Sequence, residues 1–152
     1  MTPSEKNKIY ENIHLQWSGL IDVNVPWYSN LSNAAALLMK ELNPWWVGFY
    51  LTRENYLYLG PFQGPTACTL IQKGKGVCGT AWNNNQTIIV PDVHKFPGHI
   101  ACSEVSNSEI VVPIKKNNEI WGVLDIDSAD FNTFDEIDAR ELEKFCATLS
   151  NL

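Results

Sequence analysis

The stretch EIVVPIKKNNEIWGVLDIDS, residues 109 to 128, limits the folds open to this chain more than any other. Two apolar-rich runs flank Lys116-Asn117-Asn118. Asparagine tolerates the left-handed backbone of a tight turn, so the segment predicts an antiparallel hairpin. Its second arm alternates strictly near the end. Asp125 and Asp127 therefore project from one sheet face with Val123, while Leu124 and Ile126 project from the other. Two acids side by side on one face repel unless solvent, a metal or a ligand amine lies between them.

The remaining elements fit around that hairpin. WWVGFYL (45–51) and NYLYLG (55–60) predict a second antiparallel pair across Thr52-Arg53-Glu54, and TIIVP (87–91) a short strand. Thr2-Pro3-Ser4-Glu5 has the form of a capping box opening a helix, with Ile9, Ile13 and Leu20 as a stripe ending near Asp22. Ser29 or Asn30 can cap a second helix that stops before Asn43-Pro44. Thr133-Phe134-Asp135-Glu136 reads as another capping box. The helix after it would bury Phe134, Ile137, Leu142, Phe145, Cys146 and Leu149. Between Pro61 and His99 lies a Gly- and Pro-rich section, with helical turns expected only around VCGTAW. Such a long loop is uncommon in a compact domain unless it has a function. The class is α+β: one domain, 1–152, with an antiparallel sheet, terminal helices on one face and the irregular section on the other.

At 152 residues, 45% apolar and 18% charged, the chain can bury a substantial core. A net charge of −6 argues against a nucleic-acid or anionic-membrane partner, and the Lys73–Lys75 and Lys115–Lys116 clusters are too small to form a binding face. The N-terminal residues have no signal-like apolar run, so the expected location is the cytosol. Of Cys68, Cys78, Cys102 and Cys146, no pair has C-x-x-C spacing. In a reducing compartment they begin as thiols, and any disulfide is transient rather than structural.

The segment FPGHIACSEVSNSEIVVP (96–113) gathers His99, Cys102 and Glu109. A turn at Pro97-Gly98 would expose backbone amides, and these, or a protonated His99, favour thiolate at Cys102. The same residues also fit a packed cysteine. Glu109 can point to solvent, pair with a cation or face a cavity with a raised pKa. Cys68 and Cys78 flank TLIQKGKGV, where glycines 74, 76 and 79 let the backbone curl and present N–H groups to a carboxylate or phosphate, but this is not a Walker motif. A zinc site from Cys78, His94, His99 and Cys102 has suitable ligand types without a standard spacing. Cys146 reads as core, Trp45 and Trp46 as more often core than ligand wall, and His14 has no evident chemical partner.

Together, GKGVCGTAW, PDVHKFPGHIACSEVSNSEIVVPI and GVLDIDS closely resemble the free methionine-(R)-sulfoxide reductases, a family in the GAF-domain class. The resemblance runs from Asn43-Pro44-Trp45-Trp46 to the last helix and includes the spacing of Cys68, Cys78 and Cys102. It implies a GAF fold and reduction of free, not peptide-bound, methionine-(R)-sulfoxide. It further implies Cys102 as the attacking cysteine, Cys68 as the main resolving one and Cys78 as the remaining one. Glu109 would be the acid that polarises the sulfoxide, Asp125 and Asp127 the substrate-site carboxylates, and Trp46 and Tyr50 an aromatic wall. Ser103 departs from the pattern, which usually has Asp after the cysteine. A thioredoxin-type reductant would recycle the thiols, no metal or organic cofactor is called for, and a homodimer is one option. The alternatives are a GAF small-molecule sensor without turnover and a thiol switch without a substrate.

Overall fold

The structure is a computed structural model that describes residues 1–100, 102 and 104–152. The position of Ser103, where the chain departs from the family pattern, lies outside the described residues. Among the described residues a six-stranded antiparallel sheet organises the chain in the order β3-β2-β1-β6-β5-β4. The strands are β1 (Trp46–Arg53), β2 (Tyr56–Gln63), β3 (Leu70–Gln72), β4 (Ile88–Val90), β5 (Ser108–Lys116) and β6 (Glu119–Ser128). The predicted β5–β6 hairpin turns through Asn117 and Asn118, both at positive φ, 54° and 64°. This is the two-residue turn whose twist matches that of the paired strands.

Helices α1 (Pro3–Leu20), α2 (Trp27–Leu42) and α4 (Glu136–Thr148) cover one face. Val47 and Phe49 of β1, Ile110, Val112 and Ile114 of β5, and Leu124 and Ile126 of β6 supply that core. Each such side chain, fully buried, contributes about 1.5–3 kcal/mol. The Thr2 capping box forms as expected, but the buried stripe of α1 is Tyr10, Ile13 and Trp17, with Leu20 exposed. Two helix starts also differ from expectation. α2 begins after Pro26, whose fixed φ suits a helix start, because the Asn30 side chain is bound to both backbone groups of Asp22. The α4 capping box is Asp135 with Asp138, since the Thr133 hydroxyl donates to Ser128 instead. Asp138 then ties α4 to α1 by accepting from Tyr10 and Lys6. His14 has a partner after all: its Nε2 lies 2.9 Å from Glu141.

The Pro61–His99 section is more ordered than its composition suggests. It contains β3, β4 and a nine-residue helix, α3 (Gly76–Asn84). β3 is three residues long and, among the described residues, pairs with β2 alone, so no local alternation announced it. This section packs on the second face of the sheet, where Val77, Cys78, Ala81 and Trp82 of α3 meet Trp46, Tyr50, Val111 and Val123. Among the described residues, no helix is long and apolar enough to cross a membrane.

Candidate active site

Strand register brings the acids together. Asp127 pairs with Trp46 on one side and Glu109 on the other, and Asp125 lies between Gly48 and Val111. Trp46, Tyr50, Glu109, Asp125 and Asp127 thus share the face that α3 covers. All five line a pocket together with Cys78, His99, Ile100, Cys102, Ser106 and the Gly76–Val77 start of α3. Cys68 enters from the loop before β3 and is disulfide-bonded to Cys102, with Cα atoms 5.7 Å apart. The zinc set considered above does not assemble: Cys102 is bonded to Cys68, and His94 pairs with Asp92 at the surface. Cys146 is buried in the helical core, as read from its helix face.

Burial changes the acids most. Glu109 and Asp125 are each 6% exposed, which excludes a solvent-facing Glu109. Burial, then the charges of Asp125 and Asp127, push Glu109 well above the usual carboxylate range. Burial also raises Asp125, but donors at Glu109 and Cys78 work to keep its charge. Asp127 is raised by burial and Asp125, with Ser106 and Glu109 opposing. Every influence on Glu109 favours its neutral form, whereas Asp125 has neighbours that favour the anion. Burial pushes Asp127, like Glu109, well above the usual carboxylate range, so Asp125 is the acid of the three best placed to carry charge toward a cation and Glu109 the one with nothing to favour its anion. Asp125 Oδ1 is buried without a hydrogen-bond partner among the described residues, so the pocket offers one acceptor in need of a donor.

The thiols divide in a similar way. Burial, followed by the acids around it, holds Cys78 well above the normal thiol range, so it is a poor nucleophile at neutral pH. Cys102 is exposed at the pocket mouth. His99 lines the same pocket, but burial and His94 lower its pKa, which disfavours the protonated form expected from the sequence. The amides of His99 and Cys102 already donate to Phe96 and Ile100. The first turn of α3 has no side-chain cap, and its residues Gly76, Val77 and Cys78 line the pocket. That helix N-terminus suits a carboxylate.

The GAF domain family model matches residues 30–152. GAF domain-containing protein A of Dictyostelium discoideum is 52% identical over 99% of this chain and 96% of its own. Free methionine-R-sulfoxide reductase of Saccharomyces cerevisiae is 49% identical over 95% of this chain and 86% of its own. The chain belongs to the free methionine-R-sulfoxide reductase family of GAF domains. A structure of the Neisseria meningitidis free methionine-R-sulfoxide reductase in complex with its substrate superposes with a TM-score of 0.87. It is 42% identical and covers 95% of this chain and 86% of that one.

Within this reductase fold, three supports of the pocket had no clear signal in the sequence. The Ser106 hydroxyl donates to Asp127 at 3.2 Å, the Tyr50 hydroxyl to the Cys68 carbonyl at 2.8 Å, and the Trp46 indole to the Pro65 carbonyl at 3.1 Å. The latter two fasten the loop that carries Cys68. Gly48 makes room for the Trp46 ring, which stacks on Phe62 with centroids 5.4 Å apart. A Cβ at position 48 would fall on both the Trp46 ring and the Phe62 Cβ. Gly48→Ala is therefore expected to tilt the Trp46 ring, raising KM more than it lowers kcat and costing about 1–3 kcal/mol of stability. Steady-state kinetics with denaturant unfolding checks this, and an unchanged KM would count against Trp46 as a substrate wall.

Proposed function

We propose that this chain, acting as one unit over its whole length, reduces free methionine-(R)-sulfoxide to methionine. The observation that carries the reading is a Cys68–Cys102 disulfide at the mouth of a pocket in which Glu109 is buried between two other acids. In the reduced protein the Cys102 thiolate attacks the sulfoxide sulfur. Glu109 gives its proton to the sulfoxide oxygen, which would otherwise bear the growing negative charge. The hydroxyl then passes from the methionine sulfur to the Cys102 sulfur: the old sulfur–oxygen bond and the new Cys102–methionine sulfur bond break, methionine leaves with both electrons, and Cys102 is left as a sulfenic acid. The Cys68 thiol then attacks that sulfenic acid, forming the disulfide and releasing water.

Specificity for the free amino acid follows from the two ends of the pocket. Asp125, with its unpartnered oxygen, and Asp127 receive the ammonium, while the uncapped start of α3 receives the carboxylate. Trp46 and Tyr50 pack against the thioether carbons. A peptide-bound residue lacks both charges and would leave Asp125 unsatisfied. A thioredoxin-type dithiol protein, present in the cytosol, restores the thiols. Cys78 is buried beside Asp125 and takes no covalent part in this scheme.

The test is intact mass. Reduced protein mixed with methionine-(R)-sulfoxide, without reductant, is expected to lose about 2 Da as two thiols become one disulfide. The S-epimer should leave the mass unchanged. A small-molecule sensor would bind without any mass change, and a thiol switch would respond to peroxide but not to the sulfoxide. Either of those results overturns the assignment.

A further inference from the structure

One thiol in the pocket has no step to perform. Cys78, in the first turn of α3, is buried and outside the disulfide. Its Sγ and one carboxylate oxygen each from Glu109 and Asp125 all lie within 4.8 Å of one another. These donors come from three elements, α3, β5 and β6, which are held together by packing and by the continuous β5–β6 ladder. Independently, Asp125 is 6% exposed and its Oδ1, in the same pocket, lacks a hydrogen-bond partner among the described residues. The cluster thus has an open acceptor as well as the right ligand types.

We propose that Cys78, Glu109 and Asp125 form a binding site for a thiophilic divalent cation, with Zn²⁺ as the type, and that its occupation blocks the substrate pocket. Zinc takes sulfur at about 2.3 Å and carboxylate oxygen at about 2.0–2.2 Å. Tetrahedral donors at those bond lengths sit roughly 3.5 Å apart, so side-chain movement of about 1 Å closes the site. Among the described residues lining the same pocket, the other polar groups facing it include the Asp127 carboxyl of β6, the Tyr50 hydroxyl of β1, and the basic Lys75 and His99. The three ligands include the proposed proton donor and an ammonium acceptor, so the cation and the sulfoxide exclude each other. Only this competition rests on the reductase reading; the metal site does not.

The experiment titrates Zn²⁺ against a chromogenic chelator, using the disulfide-oxidised protein. In that form Cys68 and Cys102 cannot ligate, and Cys78 and Cys146 are the free thiols. One Zn²⁺ per chain is expected. Cys78→Ser and Asp125→Asn should each weaken binding by more than about tenfold, and Cys146→Ser should leave it unchanged. Co²⁺ added to the unaltered protein should produce a thiolate-to-metal charge-transfer absorption that Cys78→Ser lacks. Absence of stoichiometric binding, binding that survives Cys78→Ser, or a Co²⁺ spectrum without that absorption overturns the site. Zn²⁺ affinity unaffected by saturating methionine-(R)-sulfoxide overturns the mutual exclusion. None of these readings uses turnover, so a failed metal site and a failed reductase assignment are separate results.

Discussion

Replacing Cys102 by Ser is expected to lower turnover of methionine-(R)-sulfoxide by at least about 10³-fold, because the proposed oxygen-accepting thiolate is removed. Serine is nearly isosteric but is not ionised near neutrality and forms no stable oxygen adduct equivalent to a sulfenic acid. Cys78 is no substitute, since burial and its acidic neighbours keep it a thiol. The variant should still bind the substrate, because Trp46, Tyr50, Asp125 and Asp127 are untouched. The same change removes the Cys68–Cys102 bond, which spans 34 residues. By loop-closure entropy that bond stabilises the oxidised protein by roughly 3–4 kcal/mol. The melting temperature of the unaltered protein should therefore fall when a dithiol is added, and that of Cys102→Ser should not. Steady-state rates with separated epimers, plus melting with and without dithiol, check both parts. Full activity in the variant would end the proposed chemistry.

Glu109→Gln is expected to lower kcat/KM by about 10²–10⁴-fold while retaining the fold. Glutamine keeps the shape and can donate a hydrogen bond, but it has no acidic proton to give the sulfoxide oxygen. Its effect on stability should run the other way. The folded-state pKa of Glu109 is raised by burial and by Asp125 and Asp127, so the folded protein holds a proton that the unfolded chain releases at lower pH. The resulting stability is fully present below the ordinary glutamate pKa and is lost as pH rises through the raised one. Unaltered protein should thus lose stability with rising pH above the ordinary carboxylate range. Glu109→Gln should flatten part of that loss, leaving the contributions of Asp125 and Asp127. Melting curves across pH, alongside kcat/KM on the same samples, test this. A variant that is inactive because it has unfolded would return Glu109 to a structural role.

Much of the frame was written locally. The alternation through Asp125 and Asp127, the Asn117–Asn118 turn and the Thr2 capping box each depend on neighbours a few residues away, and each appears where the sequence puts it. The starts of α2 and α4 shifted because the intended capping residues found other partners: Asn30 holds the Asp22 backbone and Thr133 binds Ser128. β3 escaped notice because three residues are too few to show a period, and its pairing with β2 creates it.

The amino-acid sequence by itself determined the α+β class, the shared face of the two aspartates and the cysteine pattern that points to the family. Strand periodicity and cysteine spacing are properties of the chain, legible without its partners. Only the tertiary structure decided that Glu109 is buried rather than solvated, that Cys68 reaches Cys102, and that Cys78 lies among the acids. These depend on α3 and the Cys68 loop closing over the sheet. A carboxyl's pKa depends on how much water and charge surround it, and elements far away in the chain supply that surrounding here.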